Sequence, residues 1–381
     1  MKIALSIEYF IEKRGGAERY LVDLAHRLKK HGHEVHLFSK KFDPELSKLF
    51  YAHPVKNLAF PSFLSRLFFA YHHKKMIGVD DFDVILGVGG TLVANFVQLH
   101  GGVHNSWLIK DANSYPFPLN IWKLIERRIN PKQVINGWME KKLTKNYKVK
   151  RIIAISDMVK KDLIRFYKIP EEKIDVIYNG VDINRFHPTM RVFREEVRNR
   201  YNIPLEKFLI IFMANNFRLK GLKYLLLAIG ELSREGEDIY LFVVGKGKVE
   251  RYKRFAKKIG IKERIIFTGN ITDPEKVLAA ADILVHPTFY DACSLTVIEA
   301  MASGIPVITT KYNGASGLIT DGKEGFVIDS PKDISQLKQK IRYFFDIEKR
   351  ISSGNMARKK AESLSIDINC KKIMELFQRW L

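Results

Sequence analysis

The sequence predicts an α/β protein of two Rossmann-like domains, and three observations carry that expectation. At 381 residues the chain exceeds one core of ordinary size and suits two domains of comparable size. Two stretches, beginning at Ile3 and at Phe208, open alike, with an apolar strand, a glycine-containing loop and a helix whose apolar residues recur with period 3.6. A third unit of strand, loop, helix and strand runs from Ile283 to Thr309. Hydrophobic content of 46% and charged content of 28% fit a globular protein, and no apolar run approaches the ~20 residues of a membrane span. The opening apolar run is too short for a signal peptide because Glu8 ends it, so a cytoplasmic location is expected. Two cysteines, Cys293 and Cys370, give neither a disulfide framework nor metal-ligand spacing.

In chain order, residues 3–7 read as a strand, and the loop after it ends Gly15-Gly16-Ala17-Glu18-Arg19. Ala17, Leu21, Leu24, Ala25 and Leu28 then share one helical face, and Gly32 closes the helix before a strand over 34–38. Glycines at a helix N-terminus let backbone approach a phosphate closely, although a Gly-Gly pair is also an ordinary turn. The dinucleotide fingerprint is missing, because the G-x-G-x-x-G spacing is absent and the second strand ends Phe38-Ser39-Lys40 without an acid for a ribose. Phe60, Phe63, Leu64, Leu67, Phe68 and Tyr71, followed by His72-His73-Lys74-Lys75, predict a core-packed helix, with an interfacial membrane helix as the alternative. Strands over 83–86 and 96–99 come next, and the second delivers His100 to the C-terminal edge, where parallel sheets place their ligands. A lone histidine there reads equally as a structural group. Asp81-Phe82-Asp83 has the spacing of a metal-binding D-x-D but precedes its strand, on the wrong edge, so no metal site is assigned. The first domain is expected to span 1–182, a charged, proline-containing linker 183–206, and the second domain 207–365.

The second domain opens with a strand over 208–213 and a loop holding Asn215, Arg218, Lys220 and Gly221, before a helix with Leu222, Leu225, Leu226, Ile229 and Leu232 inside. Two cations at a helix N-terminus suit a diphosphate, whose charge they neutralise as it departs. The strand over 241–244 enters Gly245-Lys246-Gly247, with Glu250 where a dinucleotide site has its third glycine. The strand over 283–286 is stopped by Pro287, and Leu295, Ile298 and Ala302 mark a helix that Gly304-Ile305-Pro306 ends. Asp291 falls in the loop and Glu299 about one turn inside the helix. With Ser294 as N-cap, the backbone N–H groups of Leu295, Thr296 and Val297, and of Ala292, Cys293 and Ser294 before them, are expected to face a ligand. Glu299 then lies roughly 6 Å along the axis from those amides. Amide donors in the middle with a carboxylate acceptor at each end complement a nucleotide sugar. Cys293 fills space beside Asp291. Two solvated acids would share the spacing, but the preceding strand and the Gly-Ile-Pro exit favour a site. Residues 326–328 form a last strand, and helices over 334–345 and 366–380 finish the chain.

These motifs resemble the retaining E-x7-E glycosyltransferases of family 4 type, with the two-Rossmann-domain GT-B architecture, and in flavour the lipopolysaccharide-core glucosyltransferases. The resemblance implies an α/β fold of two domains facing across a cleft, with the final helix, 366–381, crossing back to the first. It implies that Glu299 holds the ribose hydroxyls and that Asp291 lies against the donor sugar, where the family has the longer Glu. Gly15 and Gly16 match the family's GG-x-E loop, whose backbone touches the donor diphosphate. Lys220-Gly221 fits the family's R-x4-K-G, but Asn215 occupies the Arg position, so Arg218 takes over. Arg185, after Asn179-Gly180-Val181-Asp182, would reach the diphosphate, the Gly245 loop would seat the nucleobase, and His100 would meet donor sugar and acceptor. The implied reaction is retaining and metal-independent, uses no cofactor, and moves a sugar from a nucleotide-diphosphate donor, UDP favoured, to a glycan or glycolipid acceptor.

The net charge of +22 calls for an acidic partner or surface. Residues 120–151 hold ten Lys or Arg against two Glu, among Trp122, Trp138 and Tyr147. That peak reads as solvated helix faces or as a functional surface; taken as the latter, it predicts a peripheral enzyme on an anionic, cytoplasmic membrane face. A Rossmann oxidoreductase is excluded by the absent fingerprint. A basic nucleic-acid-binding protein is permitted by charge alone, but no nucleic-acid motif accompanies it.

Overall fold

The computed structural model describes residues 1–57 and 64–381, so Phe60 and Phe63 lie outside the described residues. The chain forms two compact units, Met1–Gly180 with Ile366–Leu381, and Val181–Ser365.

The first unit is built on seven parallel strands: β1 (Lys2–Ser6), β2 (Glu34–Ser39), β3 (Tyr51–Pro54), β4 (Val84–Gly87), β5 (Phe96–Gln98), β6 (Arg151–Ala154) and β7 (Ile174–Val176). Their order is β3-β2-β1-β4-β5-β6-β7. Central strands such as β4, Val-Ile-Leu-Gly, are buried throughout because helices cover both faces, which is why they read as unbroken apolar runs. The helix Gly16–Lys30 buries Tyr20, Leu21, Leu24, Ala25 and Leu28, the face its period predicts. The helix Ser65–Met76 is packed into the unit, but through Phe69, Ala70 and His73, and Tyr71 is exposed.

The C-terminal helix Ile366–Trp380 belongs to this first unit. Asn369 anchors it, accepting from the Tyr20 hydroxyl at 2.8 Å and donating to the Tyr178 carbonyl at 2.7 Å. Phe377 packs against Phe96 with ring centroids 4.7 Å apart and the ring planes tilted by 60°.

The second unit repeats the scheme with β8 (Phe208–Met213), β9 (Ile239–Val244), β10 (Ile265–Gly269), β11 (Ile283–His286), β12 (Val307–Thr310) and β13 (Gly325–Ile328), all parallel, in the order β10-β9-β8-β11-β12-β13. Leu225, Leu226, Ile229 and Leu232 of the helix Leu222–Arg234 pack on Ile210, Leu241 and Ile283 of the sheet. In both units the connections reverse direction beside the first strand, between β1 and β4 and between β8 and β11. The carboxyl end of the sheet at such a reversal point is where open α/β sheets bind their ligands.

The stretch 183–206, expected to be a linker, is folded into the second unit as a 3-10 segment, Pro188–Phe193, and a helix, Arg194–Arg200. Arg198 is the reason. Its buried guanidinium donates to the carbonyls of Ala280, Pro204, Leu205 and Lys207 and to Asp282 Oδ2 at 2.8–3.0 Å. Among the described residues, no helix is long and apolar enough to cross a membrane.

Candidate active site

The site is assembled at the reversal point of the second sheet, from the loop after β8 and the loop after β11. The first loop is held by Asn216, whose Oδ1 accepts from the Leu219 N–H at 3.2 Å and whose carbonyl accepts from the Lys220 N–H at 2.9 Å. Gly221 then turns the chain into the helix with φ +80°, and a Cβ there would lie 2.0 Å from the Pro287 carbonyl oxygen. Only glycine lets the two loops touch at this point. The contact is extended by Phe289, whose N–H donates to the Leu219 carbonyl at 2.8 Å, and by Thr288, whose hydroxyl donates to the same carbonyl at 3.3 Å.

Lys220 is thereby aimed at the second loop. Its Nζ donates to the Tyr290 carbonyl at 3.0 Å and to Asp291 Oδ2 at 2.5 Å. His286, the last residue of β11, brings Nε2 to 3.4 Å from the same oxygen. Neither ring nitrogen of His286 has hydrogen-bond geometry to a partner, so the ring acts on Asp291 as an electrostatic neighbour. Desolvation alone would raise the Asp291 carboxyl, but the Lys220 ammonium and then His286 hold it well below the usual carboxylate range. Burial in turn pushes the His286 pKa down, against the pull of Asp291 upward. The result is a fixed anion and a fixed cation in direct contact.

The backbone of Asp291 is pinned too, its N–H donating to the Tyr312 carbonyl at 3.0 Å and its carbonyl accepting from Gly314 at 2.8 Å. Asn313 organises the next turn. Its Oδ1 accepts from the N–H groups of Ser294, at 3.2 Å, and Ala315, at 3.1 Å, and its Nδ2 donates to Thr309 Oγ1 at 3.0 Å. This corrects two expectations. The Ser294 amide is committed to Asn313, not to a ligand, and although Ser294 occupies the N-cap position its hydroxyl caps no backbone group. Leu295, Thr296 and Val297 open the helix Leu295–Ala302, and first-turn amides have no intrahelical acceptor. Ala292 and Cys293 are buried before them, and Glu299 is buried within the helix.

The remaining predicted residues are placed as follows. Arg218 is half-buried in the Lys220 turn, where its carbonyl accepts from Gly221. Gly245 has φ +113°, and a Cβ would lie 2.1 Å from the Ala214 carbonyl oxygen, so packing of the β8 and β9 loops explains this glycine by itself. Arg185 is paired with Glu275, Nε to Oε2 at 3.0 Å. Gly15 is extended at φ −174°, open to any residue, and Gly16 is the first residue of its helix.

In the first unit, His100 follows β5 and lies against Tyr20, ring centroids 4.5 Å apart. Its Nε2 is buried without a hydrogen-bond partner, and burial pushes its pKa down to about 3, so the ring is neutral. Residues that sequence reasoning passed over surround the same sheet edge. Glu8, two residues beyond β1, is paired with Lys40 at 3.0 Å and with Arg66. Glu140 accepts from the His104 N–H and from the Tyr167 hydroxyl, both at 2.8 Å, and burial pushes its carboxyl up to about 7. For Glu8 a signal existed, since a carboxylate just past a first strand sits at the ligand edge. Glu140 lies mid-helix and gave none.

Comparison with known proteins bears on this geometry. The pattern described as "Glycosyltransferase Family 4" matches residues 14–185, and "Glycosyl transferases group 1" matches 193–362. The lipopolysaccharide glucosyltransferase WaaG of Escherichia coli K12 is 27% identical over 194 residues, covering 50% of this chain and 52% of WaaG. The chain thus spans about half the length of the first curated relatives it matches, at 52% and 53% of theirs. The crystal structure of WaaG superposes with a TM-score of 0.82 at 20% identity, over 98% of this chain and 99% of that one. Anabaena HepE in complex with UDP-glucose gives 0.73 at 18% identity, over the full length of both. At such identities the likeness speaks to the fold, which is GT-B.

Proposed function

We propose that this chain, which belongs to the glycosyltransferases with a family 4 and a group 1 domain on the GT-B fold, moves a sugar with retention from a UDP-sugar to a hydroxyl of a lipid-linked, lipopolysaccharide or polysaccharide acceptor. The observation that carries the reading is the fixed Lys220–Asp291 pair, one loop from the opening turn of the helix that holds buried Glu299. In this reading the first-turn amides of Leu295, Thr296 and Val297 take phosphate and sugar oxygens, and Glu299 accepts from the ribose hydroxyls. Lys220, with Arg218, neutralises the diphosphate as the glycosidic bond breaks. Asp291, kept ionised, accepts from a donor-sugar hydroxyl.

The diphosphate leaves from the face that the acceptor hydroxyl enters, through an oxocarbenium-like state. The hydroxyl's proton passes to the departing phosphate oxygen, so no protein nucleophile and no metal is required. UDP is favoured because HepE is described with UDP-glucose, and a glycolipid-type acceptor because WaaG is named as a lipopolysaccharide glucosyltransferase. The chain then works at the cytoplasmic face of a membrane, consistent with its net charge of +22. The test is the anomeric configuration of the product by proton NMR, with chelator present. An α-linked product from an α-linked UDP-sugar is expected; a β-linked product, or loss of turnover on chelation, would overturn the mechanism.

A further inference from the structure

The second unit holds a cavity of about 450 Å³ at the amino-terminal edge of its sheet, between the segment 205–208, the opening of β9 and the start of the helix Ile347–Glu362. Phe208 opens β8 and Asp282 immediately precedes β11, the two strands whose carboxyl ends carry the Lys220 loop and His286. At ~3.3 Å per residue, β8 puts the cavity roughly 17 Å from that loop, so it is separate from the site described above. On the β11 side its wall is cationic. Arg194 Nη2 and Arg198 Nη2 each lie 2.9 Å from the Asp282 carboxylate, and Arg350 Nε lies 3.9 Å from it. Three guanidiniums thus share one carboxylate, which leaves positive charge in excess. Burial, and then the Arg194 charge, push the Arg198 pKa below its ordinary value against the pull of Asp282. Arg350 gives only Nη1 to carbonyls, those of Phe344 and Phe345, and Arg194 gives only its two Nη groups, so among the described residues Arg350 Nη2 and Arg194 Nε meet no acceptor.

On the β9 side the wall is acidic. Lys207 and Asp238 neutralise each other at 2.6 Å, but Glu237 reaches a cation, Arg342, only at 3.9 Å, and Glu206 makes no ion pair among the described residues. Because β8 lies between β9 and β11, two strand spacings, about 10 Å, separate the acids from the guanidiniums. The wall between them is apolar and aromatic: the Phe208 ring has Phe345 edge-on at 5.0 Å between centroids and the Arg350 guanidinium 5.2 Å from its centre. Guanidiniums with spare donors take phosphate oxygens, carboxylates with free lone pairs accept from hydroxyls, and an aromatic wall takes a flat ring. An inorganic anion would leave most of the cavity empty, and a phosphorylated sugar would leave the aromatic wall bare. A nucleoside monophosphate meets all three parts, in a cavity of the size that small-molecule sites have.

We infer that this cavity is a second nucleotide site, in which Arg194 and Arg350 hold the phosphate, Glu206 and Glu237 accept from the ribose hydroxyls, and Phe208 and Phe345 take the base. The inference goes beyond the transferase reading and stands without it, because no group of the Lys220 and Asp291 loops takes part.

The experiment is titration calorimetry of the full chain with AMP and GMP, whose bases differ from the uracil of the proposed donor, and with inorganic phosphate and adenosine as partial ligands. The wild type binds at least one of the two nucleotides at a single saturable site, and inorganic phosphate and adenosine each bind at least about tenfold more weakly. Arg350→Met lowers the nucleotide affinity about ten- to a hundredfold, as does Glu206→Gln/Glu237→Gln. Glu299→Gln leaves it unchanged. Should Arg350→Met fail to fold, hydrogen exchange of the wild type gives the same answer, with the nucleotide slowing the amides of 205–210 and 344–350 and not those of 290–299. Absence of binding by both nucleotides overturns the proposal. So does nucleotide affinity lost in Glu299→Gln and kept in Arg350→Met, or protection confined to 290–299, since the ligand then sits in the donor loops. Inorganic phosphate binding as tightly as either nucleotide also overturns it, leaving an anion site only.

Discussion

Replacing Lys220 by methionine removes the ammonium and keeps most of the side chain's volume. The pair it breaks is short, at 2.5 Å, and its side chains are 18% and 20% exposed, between a buried pair and a surface one. Breaking a buried pair costs about 3–5 kcal/mol and a surface pair about 0–1, so a loss of roughly 2 kcal/mol is expected here. For a unit of this size that lowers the melting temperature by about 4–8 °C. Most of the loss comes from stranding Asp291, so Lys220→Met/Asp291→Asn should be less destabilised than the two single variants summed. The acid side gives an independent sign. Because the folded-state pKa of Asp291 is depressed, its contribution is present above the ordinary value of 3.8 and is lost as pH falls below it. In Lys220→Met that acid-induced loss should shrink. Turnover should fall about 10²- to 10³-fold, since the charge of the departing diphosphate grows only in the transition state. The assays are thermal melts of the four proteins of the cycle from pH 2 to 8 and transfer kinetics at pH 7. Additive melting shifts, or a single variant with normal turnover and only a raised KM, would refute the reasoning.

Three further outcomes follow from the geometry. Glu299→Gln replaces a charge-assisted acceptor worth about 1.5–3 kcal/mol, so UDP-sugar affinity by titration calorimetry should fall roughly ten- to a hundredfold while the melting curve stays cooperative. Gly221→Ala places a carbon 2.0 Å from the Pro287 carbonyl oxygen at φ +80°, and should cost about 2–4 kcal/mol by denaturant unfolding; a neutral result would mean that the two loops do not touch. Glu140, with its carboxyl raised from 4.5 to about 7, binds more protons folded than unfolded in that window, so stability falls as pH rises through it. Glu140→Gln should flatten that fall, and an unchanged pH–stability profile would remove Glu140 as its source.

The two βαβ openings were legible because their strands are buried on both faces and their helices bury large aliphatic groups at period 3.6. Elements that lack those signals were not. The helix Ile347–Glu362 buries Ser353, Gly354, Ala357 and Ala361, small residues that leave no apolar stripe in the sequence. Their size is the point, for a Cβ on Gly354 would lie 2.3 Å from the Gly304 carbonyl oxygen. β3, Tyr-Ala-His-Pro, is a half-exposed edge strand with no buried residue. The stretch 183–206 looked like a linker because a buried arginine satisfied by carbonyls has no local sequence signature. At the site, the residues that bear charge were visible in the sequence. The polar groups that position them, Thr288, Thr309 and Asn313, act through contacts made only on folding. The helix at 119–129 was half legible: its cations and its tryptophan were counted, but only the fold tells that Trp122, Ile125 and Ile129 face out.

The central claim is that the second unit holds a nucleotide-diphosphate sugar. Titration calorimetry of the full chain against UDP, UDP-glucose, NAD and a single-stranded oligonucleotide tests it most directly. Saturable binding of UDP and UDP-glucose, weakened in Glu299→Gln, with none of NAD, is the result expected. Heat released only by the oligonucleotide, with equal affinity in the wild type and Glu299→Gln, would contradict the account and leave a basic nucleic-acid-binding protein in its place.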